Sequence, residues 1–194
     1  AGTVVIDGEG DLAGLILAIN GLVQTKVGKT KAADEIAAMS AACENYKGEH
    51  GAYPNSDDTE VLDPRIDGEP RGSAGKIYRD ASEDLYKDLS GDHQPDGSPD
   101  GKVDGKAYFT FKPAALDFSK NSDGKIQEVN YIQDHFGNPY GYSTAANKDE
   151  RKYQDQARRD ASVSRPIPPR GYNPTFDLWS TGGSISRGGS MDHA

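Results

Sequence analysis

The sequence predicts an α+β fold, with one long N-terminal helix laid across a small antiparallel sheet of about four strands. Three observations predict it. Residues 12–49 contain no Pro and are rich in Ala, Lys, Glu and Leu, the residues that helix propensity favours. After residue 107 come several short aromatic or β-branched runs, each bounded by Gly, Pro or Asp, the pattern of strands and turns. Helix first and strands later segregate into α+β rather than alternating α/β architecture. The 194 residues suit one domain. Residues 1–28 read as a lead-in and a weakened helix half, and 29–194 as a single globular unit. Only 34% of residues are hydrophobic and ten of these are Tyr, so a modest core with much loop is expected.

The long helix is the most strongly patterned element. Ile36, Met39, Cys43 and Tyr46 recur at spacings of three and four, which sets them on one face. Gly14, Gly21 and Gly28 weaken its first half, and Gly48, Gly51 and Pro54 mark its stop. Residues 54–79, rich in Asp, Pro, Gly and Arg, read as a surface loop. A short helix over 80–90 follows, with Asp80 and Glu83 as a capping box, Leu85, Tyr86 and Leu89 inward, and Gly91 at its end. After a polar turn region at 92–106, strands are expected at 107–112 (AYFTFK), 126–133 (IQEVNYIQ), 140–144 (YGYST) and 175–180 (TFDLWS). Residues 145–171 read as a polar loop ending in the stiff run RPIPPR.

Composition excludes several functions. The net charge of −9 opposes general nucleic-acid binding and docking on anionic lipid. A single Cys forbids an intrachain disulfide framework and any multi-thiolate metal site. No apolar run reaches the ~20 residues of a membrane span. The four His show no zinc spacing, and no nucleophile elbow is present. Gly28-Lys29-Thr30 resembles the end of a phosphate loop, but Val23 stands where the upstream Gly belongs. No catalytic residue is nominated. Cys43, on an apolar stripe, reads as a small buried hydrophobe rather than a reactive thiol.

Two segments resemble calcium loops. Ser119, Asn121 and Asp123 precede Gly124, and Asp96, Ser98 and Asp100 precede Gly101, with Asp104 further on. Alternate oxygens around a Gly kink are what a hard cation collects. The closing acidic residue is absent in both, where Asn130 and Ala107 stand. Asp-Gly before a strand is equally a hairpin turn, so calcium is a candidate ligand and no cofactor is required. Residues 148–170 carry seven Lys or Arg against four Asp or Glu, an asymmetry able to steer like subunits together.

Taken in order, three segments resemble the type II secretion pseudopilins and, more widely, type IV pilin-like proteins. The first is the Ala-rich helix followed by Tyr46-Lys47 and Gly51-Ala52-Tyr53-Pro54. The second is Asp134-His135-Phe136-Gly137-Asn138-Pro139-Tyr140-Gly141-Tyr142, with His135 where that family usually has Pro. The third is Phe176-Asp177-Leu178-Trp179-Ser180 with Gly182. Leu85-Tyr86 through Gly91-Asp92 is similar to the middle of some members.

The resemblance implies a non-enzymatic subunit of a bacterial envelope filament, acting by helix-mediated assembly in protein secretion or surface display. Its partners would be copies of itself, related subunits and the secretion or pilus assembly machinery. Family members anchor in the cytoplasmic membrane through an apolar N-terminal segment and face the periplasm or exterior. Here Asp7, Glu9 and Asp11 stand where apolar residues belong, so the anchor is expected to be missing from this stretch. Major pseudopilins carry calcium after the closing strand; residues 183–187 (GSISR) lack the acidic side chains, and that site is expected to be lost. An alternative is an adhesion or binding module on the same scaffold, touching a host surface or glycan through the 54–79 and 145–171 loops.

Overall fold

The computed structural model describes residues 8–70, 74–93, 99–165 and 169–182, with the side chains of the first helix described from Gln24 onward. The architecture is mixed α+β, with a long first helix and small antiparallel sheets. Helix α1 (Gly8–His50) is unbroken, and its stretch from Gln24 spans about 40 Å at the helical rise. The predicted stripe holds: Met39 and Cys43 are fully buried, with Ile36 and Tyr46 half-buried against them. Gly28 does not interrupt the helix but forms a notch in it. A Cβ there would meet Phe136 Cζ at 2.6 Å. The stop falls at Gly51, whose amide donates to Lys47 O (2.8 Å) at φ +76°, a left-handed closure suited to Gly.

Two segments expected as loops contain helices. Within 54–79 lies α2 (Asp57–Val61), closed by a capping box between Ser56 and Thr59. Helix α3 (Ala74–Ser90) begins six residues before the expected start at 80. The Asp80–Glu83 capping box therefore does not exist; Asp80 lies inside the helix and pairs with Lys76. The first turns of α3 are held by Tyr78, fully buried, whose hydroxyl donates to Gly68 O (2.8 Å) and whose ring meets Trp179 edge-on at 5.4 Å. Within 145–171 lies α4 (Ala145–Ala157). It carries no apolar stripe and is tethered by charge, with Lys148 and Arg151 on Glu60 of α2 at 2.6 and 2.8 Å.

The strands also differ from expectation. Residues 107–112 form no strand. They cross the end of α3, where Tyr108 and Phe109 amides both donate to Leu89 O (2.8 and 2.9 Å) and the rings of Phe109 and Phe111 close the core beside Tyr86. The first strand is instead β1 (Leu116–Lys120), paired antiparallel with β2 (Ile126–Ile132). A second ladder joins β3 (Gly141–Ser143) to β4 (Asp177–Trp179), with Tyr142 opposite Leu178. One isolated bridge, Gln133 with Pro139, links the ladders. The expected four-stranded sheet is thus two two-stranded ladders, because the turn at 134–138 lifts the chain out of register between β2 and β3. At the break Ser82 of α3 takes the role of a strand: its buried hydroxyl accepts from Ile132 N (3.1 Å) and donates to Ile132 O (3.3 Å).

Candidate functional site

The three segments that carry the family resemblance meet on α1. At the helix end, Tyr53 is anchored back on the helix, accepting from Lys47 Nζ and donating to Glu44 Oε1, both at 3.0 Å. Its ring meets Phe176 edge-on at 5.0 Å, and Phe176 in turn lies 5.7 Å from Tyr142. Tyr142, fully buried, donates to Pro54 O (2.8 Å) and hydrogen-bonds Cys43, whose thiol burial pushes up to about 12. Burial likewise drives the Tyr142 phenol well above its ordinary range. Cys43 is therefore a packed, protonated thiol and not a nucleophile. Two residues before Tyr142, Tyr140 donates to Glu35 Oε2 (2.5 Å) on the helix flank.

The 134–138 turn is organised by one buried carboxylate. Asp134 Oδ1 accepts from the amides of Phe136 and Asn138 (both 2.9 Å), and its Oδ2 accepts from Ser180 Oγ (2.6 Å). Asn138 reaches Thr181 Oγ1 (3.2 Å), and Gly137 takes φ +81°. This turn projects Phe136 and His135 into the notch at Gly28. Beyond that point α1 is uncovered: Gln24, Thr25, Lys26 and Val27 are all exposed. An open groove runs beside it along Thr25, Lys26, Lys29, Thr30, Ala33 and Asp34. So the second half of the helix is clamped, and residues 24–27 just before it are exposed.

Of the calcium candidates, Asn121, Asp100 and Asp104 accept hydrogen bonds within turns. Asn121 Oδ1 accepts from Asp123 N and Lys125 N, both at 3.0 Å, and closes the β1–β2 hairpin with Gly124 at φ +76°. Ser119 sits within β1 opposite Glu128. In the other loop Asp100 holds the amide and ammonium of Lys102, and Asp104 accepts from His93 N (2.7 Å). Asp96 and Ser98 lie outside the described residues, as do 183–187. Among the described residues no group of three or more His, Cys, Asp or Glu side chains is placed to hold a metal. The organiser of the 92–104 loop is Asp92, which spacing did not nominate. Fully buried, it accepts from Gly101 N (2.7 Å) and Tyr86 OH (3.1 Å).

A cleft opens on the far side of the β4 segment, between the 63–67 turn, α4 and residues 169–174. Its volume is about 450 Å³ and Arg65, Tyr172 and Pro174 stand on its walls. It lies between the two segments read from sequence as binding loops. Among the described residues no helix is long and apolar enough to cross a membrane. Compared with known protein families, with curated proteins and with solved structures, the chain matches none.

Proposed function

We infer that the chain is a pilin-like, non-enzymatic subunit of a bacterial envelope filament, a secretion pseudopilus or a surface pilus, acting by helix-mediated assembly. The observation that carries this reading is the convergence of Tyr53-Pro54, Tyr140–Tyr142 and Phe176–Trp179 on one half of α1, with residues 24–27 ahead of it exposed. These segments are far apart in sequence, and each of them was singled out for the same resemblance. A helix clamped along one half and exposed ahead of it presents a head-to-tail contact that does not close on itself, which generates a helical polymer. Partners on this reading are further copies or related subunits and their assembly machinery. The membrane is met through the family's apolar N-terminal segment, and the globular part faces the periplasm or exterior.

The test is site-directed cross-linking in the full-length protein in its native envelope, with a photoreactive residue at Val27. Ladders of cross-linked subunits are expected. Monomers alone, with the protein inserted and intact, would overturn the assembly reading. A second reading, display of a binding surface, draws on a different observation, the cleft beside Tyr172.

A further inference from the structure

Residues 169–174 are held rigidly by groups buried beneath them. Gly171, at φ +69°, donates to Asp63 Oδ1 (3.0 Å), and its carbonyl accepts from Arg65 Nε (2.6 Å). Asp177 accepts from Tyr172 N (2.9 Å), Asn173 N (3.1 Å) and Asn173 Nδ2 (2.7 Å). Arg170 forks onto Asp149 at 2.6 and 2.7 Å and also donates to Glu60 O (2.9 Å). Two buried acids and one bidentate ion pair are thus committed to shaping a single surface turn. What the turn presents is Tyr172, 69% exposed, with the Arg65 guanidinium 5.3 Å from its ring centre.

The charges around the cleft are unequal in availability. Asp149 is neutralised by Arg170, and Glu150 by Arg165 at 3.1 Å. Arg65 spends Nε on a carbonyl, and among the described residues no carboxylate pairs with its two terminal nitrogens. A planar fork whose terminal nitrogens meet no carboxylate among the described residues, beside an exposed aromatic face, is suited to a carboxylate carried on a ring with an apolar face. The same turn disfavours an extended peptide. The amides of Gly171, Tyr172 and Asn173 are already consumed, and Pro174 has none, so no backbone ladder is available.

We propose that the Arg65–Tyr172 cleft binds a sugar acid, its carboxylate on the Arg65 fork and its ring face against Tyr172. The volume of about 450 Å³ lies within the range of small-ligand sites. This site is separate from the exposed residues 24–27 of α1, so it stands or falls independently of filament assembly.

The experiment is an amide NMR titration of the ¹⁵N-labelled chain with glucuronate, with glucose, and with a short Asp/Glu peptide. Glucuronate is expected to shift the amides of Gly171, Tyr172 and Asn173 with a dissociation constant on the order of 1 mM. Glucose should bind about tenfold more weakly, since it lacks the charge that the fork recognises. Arg65→Gln and Tyr172→Ala should each weaken glucuronate at least about fivefold. Tyr172→Ala removes an exposed ring and keeps the fold, so it decides the matter if Arg65→Gln loosens the turn. No shift with glucuronate, an equal response to glucose, a stronger response to the peptide, or full binding by Tyr172→Ala would each overturn the proposal.

Discussion

Asp88, near the end of α3, faces Tyr46, His50, His93 and Asp84, and burial raises its carboxyl from 3.8 to about 6. A carboxyl raised in the folded state stabilises while protonated and loses that contribution as pH rises. Below about pH 4 both folded and unfolded chains hold the proton. Between about pH 4 and 6 only the folded chain holds it, so stability falls across that window, and above about pH 6 the deficit is complete. Asp88→Asn should therefore be more stable than the parent by about 1–2 kcal/mol at pH 7 and equal to it at pH 4, measured by urea unfolding. A difference independent of pH would contradict this. At Gly141 the constraint is space: a Cβ would fall inside the Trp179 indole across the β3–β4 ladder. Gly141→Ala should cost about 2–3 kcal/mol and lower the melting temperature at every pH. The stripe of Met39 and Cys43 was legible in sequence because helical spacing declares it. Asp88, Asp92 and Asp134 were not, since an acid about to be buried by distant segments looks like any solvated one.

At the scale of elements, Ser82 shows how the helix layer completes the broken sheet. Its hydroxyl accepts from the Ile132 amide and donates to the Ile132 carbonyl, which the Tyr140 amide also serves at 2.9 Å. Ser82→Ala leaves the buried Ile132 N–H without a partner, while the Ile132 carbonyl keeps the Tyr140 amide (2.9 Å), and should cost about 1–2 kcal/mol, with faster amide exchange at the end of β2. Undiminished protection at Ile132 would contradict the role assigned to that hydroxyl. Legibility followed the source of each element's stability. The second and third expected strands and the closing strand were readable, because aromatic and β-branched residues mark them. AYFTFK carries a strand's composition, but its rings pack in the core and its backbone bonds the end of α3 instead of a neighbouring strand. LDFSK alternates only two apolar residues, Leu116 and Phe118, with polar ones, too few to declare a strand in sequence, and pairing with β2 makes it one. Helix α4 was invisible to periodicity because its anchors are ion pairs to Glu60, which lies in α2 and far off in sequence.

For the whole molecule, the α+β class and the long helix were legible, while the single four-stranded sheet was not, since its division depends on the Asp134-centred turn. The seam was readable only as three separate motifs. Nothing in one dimension says that Tyr53, Tyr142 and Phe176 share a neighbour. The cleft at Tyr172 was less visible still, because its walls come from Arg65, from α4 and from residues 169–174, all far apart in sequence. The central claim is mechanical: contacts with Tyr53, Tyr140, Tyr142 and Phe136 hold the second half of α1, and on the proposed reading the part before Gly28 is left for other subunits. Hydrogen exchange on the isolated chain tests it most directly. Amides of residues 36–47 should exchange only through global unfolding, and those of 12–27 at least about a hundredfold faster. Uniform protection along the whole of α1 in the monomer would contradict the account.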